Sequence, residues 1–131
     1  MDIRALGYIG ISVADPDAWR SYAELLGTMV LPSDSDDQFR IKIDDRPYRI
    51  LVQRSADGEG IGFAGWELPD AAALDQAVTE LEAAGHTVDH STDEQRAARR
   101  VRGLARTADP GGFPVELFWG PIHDHQLFVS P

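Results

Sequence analysis

The chain has 131 residues, 43% hydrophobic and 26% charged, which is the make-up of one globular domain with enough apolar material for a core. A net charge of −10 argues against nonspecific binding to polyanions, so neither nucleic acid nor an anionic membrane is an expected partner. With no cysteine, no apolar run near the roughly 20 residues of a membrane span and no secretory leader pattern, the expected location is cytoplasmic, without disulfides or thiolate chemistry.

Residues 3–13 read as a strand of apolar and small residues. Asp15 is placed to cap a helix that Pro16 can begin, because the first turn needs no N–H at that position. Trp19, Tyr22, Ala23 and Leu26 follow at helical spacing, and Gly27 ends the run. Three strands are expected at 28–32, 38–43 and 48–53, separated by the turn formers of 32–37 and 44–47. A strand at 61–68 comes next, then a helix capped by Asp70 that carries Leu74, Ala77, Val78 and Leu81 before Gly85. A short strand around Thr87 and Val88, and longer ones at 101–108 and 113–119, complete the pattern. The tail 120–131 has no periodicity and reads as a linker or strap.

This order of elements is stated twice. The stretch from Leu6 to Asp15 recurs from Ile61 to Asp70 with glycines, aromatic and aspartate in register, at an offset of 55. The closing strands align at an offset of 67, pairing Pro47 with Pro114 and Arg49 with Glu116. The second copy therefore carries 12 extra residues, in the polar stretch 89–100. Two βαβββ units, 1–56 and 57–119, each too small to fold alone, imply a single α+β domain.

Few residues carry a chemical signature. No nucleophile elbow, P-loop, dinucleotide fingerprint or HExxH is present. His86 and His90 flank a short strand in a polar stretch and read as surface residues. In His123-Asp124-His125 the imidazoles alternate on one side of an extended segment, but no third ligand is fixed nearby. The run from Arg96 to Arg102 reads as a solvated face that balances the acidic remainder. Glu116 stands alone as a carboxylate in the apolar strand of Val115, Leu117, Phe118 and Trp119. Buried there it needs either a metal or a cation.

These residues carry a family resemblance. Ala5-Leu6-Gly7-Tyr8 with Asp15, Trp19 and Arg20, then Phe39-Arg40 with Asp44, Arg49 and Ile50, resemble the opening of type I extradiol catechol dioxygenases. The likeness continues through Ala64-Gly65-Trp66, Arg99-Arg100-Val101, Ala108-Asp109-Pro110-Gly111-Gly112 and Glu116-Leu117-Phe118-Trp119-Gly120, so it covers nearly the whole chain. It is similar to the first of two tandem domains in dihydroxybiphenyl and steroid-catechol enzymes.

The resemblance implies the vicinal oxygen chelate fold, shared with glyoxalases and bleomycin-resistance proteins, in which paired βαβββ units curl around a cavity. It also implies Fe(II) held by two histidines and a carboxylate in the second domain. At the matching positions this chain offers Tyr8, Phe63 and Glu116, which with Arg49 form the expected inner set. No catalytic or metal-binding residue is therefore assigned here, and no cofactor. The expectation is a non-catalytic amino-terminal domain whose partner is the catalytic second domain of the same polypeptide; association with further copies is compatible with this. The alternative is a stand-alone binding protein of the bleomycin-resistance type, using the concave sheet without a metal. A single-domain metalloenzyme of glyoxalase type would need histidines or glutamates on the inner strands. Two side-chain expectations follow: Trp19 lies between helix and sheet, and Arg49 pairs with Glu116.

Overall fold

The structure is a computed structural model that describes residues 1–123 and 127–130, with Ser33 and Asp34 described in the backbone alone. The elements are β1 (Ala5–Val13), α1 (Pro16–Leu25), β2 (Met29–Ser35), β3 (Gln38–Lys42), β4 (Ile50–Arg54), β5 (Gly60–Glu67), α2 (Ala71–Ala83), β6 (Asp89–His90), α3 (Asp93–Arg99), β7 (Val101–Ala108) and β8 (Pro114–Pro121). Both halves of the expected α+β repeat are present. They form two compact units, one of Tyr8–Gly62 with the described residues of 123–131, the other of Met1–Gly7 with Phe63–Ile122.

In the first unit the strands run β2-β3-β4-β1. β1 and β4 pair in parallel, Ile9 opposite Ile50 through Val13 opposite Arg54, and the β2/β3 and β3/β4 pairs are antiparallel. A parallel pair needs a crossover, which α1 begins. The Asp15 carboxylate accepts from the Ala18 N–H at 3.2 Å, Pro16 occupies the first turn, and Gly27 leaves the helix at φ +82°. The core is Val13, Ala23, Phe39, Ile41 and Val52, with Ile11, Trp19, Val30 and Ile50 packed against it.

The stripe expected on α1 is narrower than its spacing suggested. Pro16 and Ala23 are buried, Trp19 is half-buried, and Tyr22 and Leu26 are exposed. Small residues make the contact with the core and the large ones flank it. Tyr22 meets the Trp19 ring edge-on at 6.3 Å between centroids. Trp19→Ala should therefore cost about 2 kcal/mol in urea unfolding, below the about 3–5 kcal/mol of a fully enclosed aromatic. A loss above about 4 kcal/mol would show that Trp19 is enclosed after all.

The second unit repeats the scheme as β5-β8-β7-β6, with β5/β8 parallel and β7 antiparallel to both β8 and β6. The Asp70 carboxylate accepts from the Ala73 N–H at 2.8 Å, and Gly85 lies beyond the end of α2 at φ +89°. Leu68, Leu74, Ala77, Val78, Val88, Ala105 and Leu117 form the core, against which Trp66 and Trp119 pack. Phe63 and Gly65 are buried on alternate positions of β5, with Trp66 on the helix-facing side, as period two requires.

Two local expectations fail. The short strand is Asp89–His90 rather than Thr87–Val88. The polar stretch that follows folds as α3, whose Thr92 hydroxyl and Gln95 side chain cap each other's backbone. A capping box needs only four residues, so a helix this short leaves no periodicity to read. In the tail, β8 continues to Pro121, and the Ser130 hydroxyl donates to the Gly27 carbonyl at 2.8 Å. Among the described residues no helix is long and apolar enough to cross a membrane.

Candidate functional site: a closed carboxylate

Glu116 sits on β8, where alternation points it to the face opposite Val115 and Leu117, and it is 3% exposed. Its cation comes from α3. Arg99 Nε donates to Oε1 at 2.8 Å and Nη2 donates to Oε2 at 3.0 Å, a two-point fork on both carboxylate oxygens. Arg106 Nε, on β7, lies 3.3 Å from Oε2 as an ion-pair contact without hydrogen-bond alignment. The Arg99 guanidinium also lies over the Phe63 ring, 4.2 Å from its centroid. Carboxylate, guanidinium and ring thus form one buried stack, with every member in the second unit.

Arg49 was the partner expected for Glu116 from the sequence; within its own unit Glu116 is forked by Arg99. Arg49 directs its guanidinium to Asp44, with Nε and Nη2 at 2.8 and 2.7 Å from Oδ2. Within its own unit each of these equivalent residues has a partner in chain close by: Asp44, five residues away in a turn, for Arg49, and the inserted helix for Glu116. The arginine-rich run is accordingly no uniform solvated face. Arg96 bonds Ser91 and Asp93, Arg102 is exposed, and Arg99 is 9% exposed. Sequence reasoning missed Arg99. The signal was available in the demand of a lone strand carboxylate for a cation and the presence of three arginines, Arg96, Arg99 and Arg100, in the insertion.

Tyr8, the fourth member of the expected set, is buried in the first unit and stacks on Tyr48 at 5.5 Å and 29°. Arg40 lies 5.4 Å above the Tyr48 ring. Clefts of about 310 and 470 Å³ occur in this unit, the first lined by Arg54 and Glu59, the second by Arg20 and Asp36; none of the four expected residues lines either. His86 and His90 are exposed, His90 being 3.8 Å from Glu82. His123 is exposed, while Asp124 and His125 lie outside the described residues.

At Asp44, burial alone would raise the carboxyl pKa. The Arg49 hydrogen bond, the Arg46 N–H and both guanidinium charges outweigh that and hold it below its ordinary value. The stabilisation is thus complete above the unfolded aspartate pKa of about 3.9 and is lost as pH falls through the lower folded value. Arg49→Met should lose stability at neutral pH, and the gap from wild type should narrow in acid. A gap constant with pH in urea midpoints would rule out this linkage.

A family model described as dihydroxybiphenyl dioxygenase BphC D1 matches residues 6–54. A biphenyl-2,3-diol 1,2-dioxygenase of Paraburkholderia xenovorans is 44% identical over all of this chain and 43% of its own length. A 1,2-dihydroxynaphthalene dioxygenase of Pseudomonas putida is 41% identical over 91% of this chain and 39% of its own. A crystal structure of catechol 2,3-dioxygenase superposes with a TM-score of 0.91 at 36% identity, covering 98% of this chain and 43% of that one. The chain is a type I extradiol dioxygenase family domain. Its fold is that of the vicinal oxygen chelate proteins, as the resemblance implied.

This extradiol domain spans about two fifths of the length of the curated relatives it matches. One of them, from Rhodococcus jostii, is named an iron-dependent extradiol dioxygenase. Phe63 and Glu116, at two of the positions matched by the resemblance, do not fit such a metal. Phe63 has no donor atom, and both oxygens of Glu116 are engaged by Arg99. Among the described residues no three His, Cys, Asp or Glu side chains are grouped to hold an ion.

Proposed function

We propose that this chain is the non-catalytic amino-terminal domain of an extradiol ring-cleavage dioxygenase. The substrate would be a catechol fused or linked to a second ring, the class named for the dihydroxybiphenyl and dihydroxynaphthalene relatives. Fe(II) and the ring-cleavage chemistry belong, on this reading, to a second domain of the same polypeptide. The observation that carries it is the closed carboxylate. The one acidic side chain retained at a matching ligand position is forked by Arg99, and the neighbouring position is Phe63. An oxygen-activating Fe(II) site needs three protein donors and open positions.

The test is anaerobic loading of this chain with Fe(II), followed by assay with 2,3-dihydroxybiphenyl and 1,2-dihydroxynaphthalene. No ring-cleavage product above the rate of free Fe(II) is expected. The same polypeptide extended by a second domain should turn over. Product at enzymatic rates from this chain alone would overturn the assignment.

A further inference from the structure

Only Arg99, of the seven residues of α3, is buried. The ends of the helix are closed locally. Thr92 and Gln95 cap its start, Arg96 pairs with Asp93, and Arg100 ends it in a left-handed conformation at φ 54°. Nothing apolar on α3 is buried; its one buried side chain is charged, and just beyond the helix the Arg100 carbonyl accepts from the Ile122 N–H at 2.9 Å. A charged side chain in that place is unusual, since a surface helix normally docks through an apolar stripe.

What Arg99 docks into has the form of a receptor. The carboxylate of Glu116 presents both oxygens to the planar guanidinium at 2.8 and 3.0 Å, and the Phe63 ring faces it at 4.2 Å from the centroid. A carboxylate fork with an aromatic face is the arrangement that recognises a guanidinium, through paired charge-assisted hydrogen bonds and a cation–π contact. It is a poor seat for a divalent metal: Phe63 contributes no donor and Arg106 stands 3.3 Å from the same carboxylate.

We propose that α3 is a plug on a cation seat built from Glu116 and Phe63, with Arg99 as its resident, and that the seat takes a small guanidinium ligand when Arg99 is withdrawn. The helix lies within the 12 residues by which the second repeat exceeds the first, so the plug and the forked counter-charge of Glu116 sit on one piece of chain. The seat is a property of this unit and does not depend on the catalytic assignment above.

The test compares wild type, Arg99→Ala and the double variant Arg99→Ala/Glu116→Gln in thermal unfolding, each titrated with methylguanidinium far below denaturing concentrations. A saturable rise in midpoint is expected for Arg99→Ala alone, because a ligand that binds only the folded state stabilises it. Wild type and the double variant should not move. Should Arg99→Ala be unfolded by itself, recovery of its native circular dichroism by methylguanidinium but not by Co(II) is the same result in another form. No response from Arg99→Ala, an equal rise in the double variant, or a response to Co(II) alone overturns the seat. Hydrogen exchange on wild type tests the plug: amides of Arg96–Arg99 should exchange well before those of α2, and equal protection would show that α3 does not open separately.

Discussion

Glu116→Ala is expected to destabilise the chain by about 3 kcal/mol, the low end of the range for breaking a buried ion pair. The full penalty would apply if Arg99 had to stay where it is, over the Phe63 ring, with its forked counter-charge gone. It need not stay. Because α3 buries no other side chain, the helix can swing its arginine to water, and the cost is then capped at that of undocking α3. The two responses are separable in urea. If α3 detaches in the native state, less surface is exposed on unfolding, and the slope of stability against denaturant falls along with the midpoint. If Arg99 remains buried, the midpoint falls at constant slope. A loss under about 1 kcal/mol would mean that the pair contributes no more than one on the surface.

The βαβββ repeat was legible because its signals are local. Asp15 and Asp70 cap helices within three residues, and alternation along β5 places Phe63 and Gly65 on one face with Trp66 on the other. The family resemblance was legible for the same reason, being carried by short blocks such as Leu6-Gly7-Tyr8 and Glu116-Leu117-Phe118-Trp119. Partner choice was not. The need of Glu116 for a cation follows from its strand, but which arginine answers depends on how the insertion folds. α3 is too short for a periodic pattern and is docked by a residue type that usually faces solvent. The repeat is silent at this point. It equates Arg49 with Glu116 in position but does not reveal the partner each has within its own unit, Asp44 for Arg49 and Arg99 for Glu116. Burial of α1 was overcalled for a related reason: spacing marks which residues share a face, not how closely the helix approaches, and Ala23 at the contact leaves Tyr22 and Leu26 outside.

Gly7→Ala is expected to cost about 3 kcal/mol, and Gly62→Ala, at the matching position of the second copy, less than about 1 kcal/mol. The two glycines are indistinguishable in the repeated sequence. They differ in what a Cβ would meet. At Gly7 it would stand 2.2 Å from Cζ and 2.4 Å from Cε1 of Phe118, a ring 2% exposed and enclosed in its unit. Interiors are close-packed, so the ring cannot slide aside without displacing its own neighbours, and the substitution combines overpacking with loss of the Phe118 seat. At Gly62 the nearest atoms are Ser12 Oγ at 3.6 Å and Gly10 O at 3.8 Å, ordinary contact distances. Alanine fits there, and the reduced freedom of the unfolded chain offsets part of any strain. A double-mutant cycle identifies the cause. Phe118→Leu shortens the side chain that collides, so Gly7→Ala in that background should lose at least 1 kcal/mol less than in wild type, a coupling of the size expected for residues in contact. Equal costs at Gly7 and Gly62 would mean that both glycines serve the backbone rather than the Phe118 ring. The glycine that opens each copy of the repeat would then have one role instead of two.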